Sequence, residues 1–140
     1  MLLEFRGKNY KSFKNEFVLS LIPTGKRGLD YSIMRKKIDN KEYKGLSSAV
    51  IYGPNASGKT NIMYAMDTLK SIVLRGNINN NDDFTPNFAA NRLELIPNVN
   101  SNEPTFFQIK FTTKNYFVDY SLEIDLGEFL DSENNRKVIS

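Results

Sequence analysis

The chain has 140 residues, of which 40% are hydrophobic, 12% aromatic and 25% charged, enough apolar mass for the core of about one domain. It has no cysteine and no histidine, which excludes disulfides, thiolate and imidazole metal sites and every histidine-based triad, and leaves carboxylate, lysine, hydroxyl and backbone chemistry. The net charge of +3 is unevenly placed: residues 1–70 hold 13 basic and 6 acidic side chains and residues 71–140 hold 6 and 10, so the first half is the one suited to phosphate.

The opening Met1-Leu2-Leu3-Glu4 meets charge at its fourth residue, unlike a signal peptide, and nowhere do 18 apolar residues run together, so a soluble, cytoplasmic chain without membrane contact is expected. Residues 2–5 and 17–22 read as two short strands in a hairpin-like opening, the second ended by Pro23 and Gly25. Residues 24–46 are polar and basic, and irregular structure with room for one short strand is expected there. Ser48-Ala49-Val50-Ile51-Tyr52 is a short apolar run stopping at Gly53, the pattern of a strand buried on both faces inside a sheet.

From Lys59 onward, Ile62, Met63, Met66, Leu69, Ile72 and Val73 recur at spacings of three and four until Gly76, which predicts a helix of about four turns. Asparagine, aspartate and proline crowd residues 77–102, a composition that favours local turns over ladders, and a long mobile insertion is expected. Thr105 to Thr112 and Tyr116 to Leu126 alternate apolar and polar around Thr113-Lys114-Asn115, predicting an antiparallel hairpin with one wet face.

Gly53-Pro54-Asn55-Ala56-Ser57-Gly58-Lys59-Thr60 fits G-x-x-x-x-G-K-[ST], the phosphate-binding P-loop, a match that chance supplies in roughly one chain of this length in two hundred. The two glycines let the backbone turn where a side chain would block approach, so that successive amides point at an anion. The helix starting near Lys59 adds the positive end of its dipole at the same spot. Lys59 is then placed to reach the β and γ phosphates of a nucleotide, and the Thr60 hydroxyl to ligate Mg²⁺.

Gly53 to Asn61 resembles the GxNxxGK[ST]N form of the ABC-type ATPase heads of SMC proteins, RecF and the overcoming-lysogenisation-defect (OLD) family. More narrowly, Ala49 to Ile62 is similar to the AAA-family ATP-binding proteins of bacterial phage-defence and abortive-infection loci. Asn9-Tyr10-Lys11-Ser12-Phe13 resembles the N-F-[KR]-S-F stretch that opens those heads. Pro104 to Phe111 resembles their strand after the helix, and Gly127-Glu128-Phe129-Leu130 their E-x-L turn.

The resemblance implies an α/β P-loop NTPase fold of the ABC-head type, with an antiparallel β-subdomain and a long loop insertion. The residue patterns along the chain divide residues 1–140 into a β-subdomain opening (1–47), the P-loop strand and helix (48–76), the mobile insertion (77–104) and the hairpin (105–126). The resemblance also makes Lys11 and Ser12 candidates for phosphate or base contacts; Asn61, which follows the loop, is counted with the nucleotide-binding residues and is expected to cap or pack rather than react. The resemblance further implies a homodimer or larger assembly through the heads, with a nuclease or toxin effector or DNA as partner; Lys26-Arg27 and Arg35-Lys36-Lys37 are the basic stretches for nucleic acid.

An acidic motif that would hold Mg²⁺ and polarise water needs apolar residues followed by Asp and Glu at the end of a buried strand. The nearest approach, Tyr120 to Asp125, places Glu123 and Asp125 on the wet side of its strand, and Gln108 lies inside a strand rather than in the magnesium-binding loop of ABC heads. An LSxG-type signature is also lacking, so the sequence reads as the N-terminal part of a longer ATPase, binding nucleotide without turnover by itself. The rivals are a non-hydrolysing nucleotide-binding regulator and, less well supported, a P-loop kinase or GTPase.

Overall fold

The computed structural model describes residues 1–25, 30–55, 57–78, 95–126 and 136–140. Ala56, the Lys26-Arg27 pair, the Gly127–Leu130 turn and residues 79–94 of the expected insertion lie outside the described residues.

The body is a five-stranded antiparallel sheet in the order β2-β1-β5-β6-β7, built from β1 (Leu2–Lys8), β2 (Phe17–Ser20), β5 (Thr105–Thr112), β6 (Phe117–Asp125) and β7 (Lys137–Val138). The opening strands pair as expected, Phe5 opposite Leu19, and the 105–126 hairpin pairs Ile109 with Tyr120. Placement of β1 beside β5, with Phe5 opposite Ile109 and Gly7 opposite Phe107, closes a loop of about one hundred residues.

Strand alternation sorts the faces. Phe5, Phe107, Leu122 and Ile124 point into the core, while Glu4, Arg6, Lys110 and Glu123 stand on the other side. Helix α1 (Lys59–Arg75) covers the apolar face, and Ala65, Leu69 and Ile72 join those side chains in one cluster with Tyr10. Its boundaries follow the predicted signals: it starts on the P-loop and stops at Gly76, whose φ of 72° and amide bond to the Ile72 carbonyl close the last turn. The buried stripe is rotated from the predicted one. Met63 and Val73 are exposed, and Ala65, Thr68 and Ser71 are buried instead, small side chains that let the helix approach closely.

Three expectations are corrected. Ser48–Tyr52 forms no strand, and Val50 and Tyr52 are 86% and 90% exposed. A strand buried on both faces needs partners along both edges, and none lies beside this run among the described residues. The basic region is not irregular. After a 3₁₀ turn (Asp30–Ser32) come β3 (Ile33–Ile38) and β4 (Lys41–Leu46), joined by Asp39-Asn40 with φ of 46° and 64°, the left-handed pair of a type I′ turn.

Lastly, the described ends of the insertion are packed against the body. Ile78 and Leu95 join the core, and Asn98 and Ser101 are buried, because asparagines that favour turns also satisfy buried backbone groups. No helix among the described residues is long and apolar enough to cross a membrane.

Candidate functional site

The P-loop residues fold around the lysine. Lys59 Nζ donates to the carbonyls of Gly53 at 2.7 Å and Pro54 at 2.5 Å, and to Ser57 Oγ at 3.4 Å. The three donors of an ammonium are thereby matched to the two ends of the loop, which curls around its own cation. Backbone bonds from Ser57 to the Pro54 carbonyl (3.3 Å) and from Asn61 to the Gly58 carbonyl (2.9 Å) fix the turn and the first helical turn.

Gly58 is required here for two reasons. Its φ is 86°, and an added Cβ would lie 2.7 Å from Ser12 Oγ and 2.9 Å from the Phe13 ring. Asn55, Ser57, Gly58, Lys59, Thr60 and Asn61 line a hollow of about 400 Å³ at the helix N-terminus. A larger hollow of about 630 Å³, between Met34–Lys36 and Thr112–Lys114, lies on residues without any of the P-loop elements, so volume does not identify the site.

Beside the hollow stands the segment Asn9–Phe13, which meets the start of the helix through Ser12 and Phe13. Tyr10 and Phe13 exchange backbone bonds at 2.9 Å each way, making a tight turn in which Asn9 and Lys11 take φ of 51° and 49°. For a non-glycine residue that conformation costs about 1 kcal/mol or more, and it is held by its surroundings. The Tyr10 ring is fully buried against Phe107 at 5.4 Å, and its hydroxyl meets Thr68 Oγ1 of α1 at 3.0 Å.

From this anchor Ser12 reaches the helix start, where its Oγ accepts from Asn61 Nδ2 at 2.8 Å. Lys11 Nζ stands 4.1 Å from the centroid of the Tyr64 ring, one turn past Thr60. Such a contact contributes about 0.5–1 kcal/mol at an exposed site.

The described sequence candidates Gly53, Pro54, Asn55, Ser57, Gly58, Lys59, Thr60 and Asn61 are thus together, and Lys11 and Ser12 lie beside them. Gln108 and the two β6 carboxylates are elsewhere. Gln108 Nε2 donates to Asp119 Oδ1 at 2.7 Å on the wet face, and Glu123 and Asp125 alternate with the core residues Leu122 and Ile124, placing the sheet between them and α1.

Tyr64, Asn98 and Thr68 were not singled out by the sequence. Tyr64 could have been found from its position five residues past Lys59 on the predicted helix, whereas nothing local marks Asn98.

The donor set fits an anion carried with a small hard cation. One lysine and a helix N-terminus meet at the hollow, no carboxylate lines it among the described residues, and Thr60 offers one hydroxyl oxygen. Mg²⁺ characteristically takes one or two protein oxygens and completes its shell from phosphates and water.

A glycine-turned loop closing on a lysine at the start of a helix that packs on a sheet defines a P-loop nucleotide-binding protein of the α/β class. Residues 48–138 match the family model described as "AAA domain, putative AbiEii toxin, Type IV TA system", and the chain belongs to that family of P-loop AAA-type proteins. Neither the curated proteins nor the solved structures gave a match.

Proposed function

We propose that this chain is the ATP-binding part of an ABC-type head of the SMC, RecF and OLD-like group, acting in phage defence or DNA maintenance. The observation that carries the reading is the bond from Asn61 to Ser12. It sets the Asn9–Phe13 segment, which resembles the opening of those heads, directly against the loop.

In this reading the Lys59 ammonium and the backbone N–H groups at the start of α1 bind the β and γ phosphates of Mg-ATP. The phosphate oxygens replace the Gly53 and Pro54 carbonyls as acceptors from Lys59, and Thr60 supplies a hydroxyl to Mg²⁺. Lys11 and Ser12 add phosphate or base contacts from beside the loop. Mg²⁺ screens phosphate charge when bound; the chain's own part is to orient the phosphates.

Hydrolysis belongs to the complete protein, in which a further segment supplies the acidic and signature motifs and two heads close on ATP. A nuclease or toxin effector, or DNA on the β3–β4 hairpin around Lys36 and Lys37, completes the system in the cytoplasm.

A second reading, a nucleotide-binding regulator without turnover, is favoured by the placement of Glu123 and Asp125 across the sheet from α1. Thermal unfolding with and without Mg-ATP tests the shared claim. A ligand at one hundred times its Kd stabilises the fold by about 2.7 kcal/mol. The melting temperature therefore rises with Mg-ATP for wild type and not for Lys59→Ala; no rise for wild type contradicts the reading.

A further inference from the structure

Asn98 touches no P-loop residue, yet its side chain and amide are built into the turn that does. Its backbone N–H donates to Asn9 Oδ1 at 2.9 Å, and its Nδ2 donates to the Lys11 carbonyl at 2.8 Å. Its Oδ1 accepts from the Asn100 amide at 3.0 Å, which fixes the orientation of the carboxamide. The residue is only 8% exposed, and its bond to Asn9 is fully sheltered from competing water.

Around it the same two strands of chain are cross-linked three more times. The Lys11 amide donates to the Ile96 carbonyl at 2.9 Å, Thr105 Oγ1 donates to the Asn9 carbonyl at 2.6 Å, and Asn9 Nδ2 donates to the Glu103 carbonyl. The bond from Asn98 lands on Lys11 itself, one of the two left-handed residues of the turn and the one directly before Ser12.

A left-handed lysine backbone relaxes to the right-handed or extended region when its restraints go, and that rotation redirects the next residue. Here the next residues are Ser12, the acceptor for Asn61, and Phe13, packed where a Cβ on Gly58 would lie.

We propose that Asn98 is a positioning residue of the nucleotide site, acting through the Lys11 backbone to hold Ser12 and Phe13 against the start of the P-loop helix. The inference rests on the nucleotide-binding reading and extends it to the far end of the chain's insertion. Residues 95–98 and the P-loop are thereby energetically linked through Asn9–Phe13, and nucleotide affinity depends on a side chain outside the phosphate cradle.

The test is a double-mutant cycle on the whole chain, with Mg-ATP affinity and thermal stability read for wild type, Asn98→Ala, Ser12→Ala and the pair. Asn98→Ala weakens binding about five- to tenfold in the wild-type background and by a clearly smaller factor in the Ser12→Ala background, because the part of its route that runs through the Ser12 hydroxyl is then gone. Asn98→Asp keeps the size and the acceptor for Asn100 but loses the donor to Lys11; it weakens binding like Asn98→Ala and serves where the alanine variant does not fold. Ile38→Val, buried at the β3–β4 turn, reports the effect of destabilisation alone and leaves affinity within twofold.

Full affinity in both Asn98 variants, or equal losses in both Ser12 backgrounds, overturns the inference. A wild-type chain that binds no Mg-ATP overturns the nucleotide reading itself, which separates the two failures.

Discussion

Lys59 Nζ lies 2.7 Å from the carbonyl oxygen of Gly53, six residues before it, so the cation of the P-loop is held by the residue that opens the loop. The two ends of the motif are joined through one ammonium. An entering phosphate meets a cation already at the mouth of the helix, and recognition becomes an exchange of oxygen acceptors around Lys59 rather than a search by a long flexible side chain.

Gly58 and Gly76 separate backbone strain from local crowding. Both have positive φ, 86° and 72°, but a Cβ at Gly76 meets nothing within 4 Å whereas at Gly58 it meets Ser12 and Phe13. Gly76→Ala should lower stability by about 1 kcal/mol and leave nucleotide affinity unchanged. Gly58→Ala should cost about 2–3 kcal/mol and lower affinity at least tenfold. Denaturant unfolding and nucleotide titration of the two variants check this, and similar affinities in both would remove Gly58 from the site.

On the wet face of the sheet, Glu4 makes stability sensitive to acid. Glu4 bonds to Arg6 at 2.8 Å and to Lys110 at 3.1 Å, and the Arg6 hydrogen bond above all holds its carboxyl below the ordinary carboxylate value. A depressed carboxylate stabilises the fold above its unfolded pKa, and that contribution is lost as pH falls through the folded one. Glu4→Gln should therefore flatten the loss of stability below the ordinary carboxylate range while leaving its slope at neutral pH unchanged. Melting temperatures over pH 7 to about 3 measure it; identical acid profiles would contradict the assignment.

Phe107 is the hub of the core. It is fully buried, stacks with Phe5 at 6.3 Å and meets the Tyr10 ring edge-on at 5.4 Å. Phe107→Ala should cost about 3–5 kcal/mol, enough to unfold a marginal domain, and should free the turn that carries Ser12. Circular dichroism and urea unfolding report the loss; a variant within about 1 kcal/mol of wild type would mean that the sheet and helix pack without this contact.

How much of this was legible depends on whether the cause was local. The P-loop, the α1 boundaries and the β5–β6 hairpin are set by glycines, a helical period and a period of two, all visible within a few residues. The β3–β4 hairpin was hidden by its charge: Arg35, Lys36 and Lys37 mask the alternation, although Asp39-Asn40 was a usable turn signal.

Ser48–Tyr52 has the composition of a central strand but no neighbour among the described residues, since pairing is a property of two segments. The Asn9–Asn98 connection spans 89 positions, and an asparagine read by itself suggests only a turn.

Catalysis is expected to be weak in this chain. Lys59 and Thr60 orient phosphates, but no general base is placed beside them among the described residues, and such a base contributes about 10²–10⁴-fold in rate. Phosphate release at saturating Mg-ATP should match the Lys59→Ala background. Turnover abolished by Glu123→Gln or Asp125→Asn would show that a β6 carboxylate reaches the nucleotide after all.

The central claim is that Gly53–Thr60 binds the phosphates of Mg-ATP through Lys59, and isothermal titration of wild type and Lys59→Ala tests it most directly. A charge-assisted hydrogen bond contributes about 1.5–3 kcal/mol, so the variant should bind ten- to more than a hundredfold more weakly with its fold intact. Equal affinity in the two proteins would contradict the account.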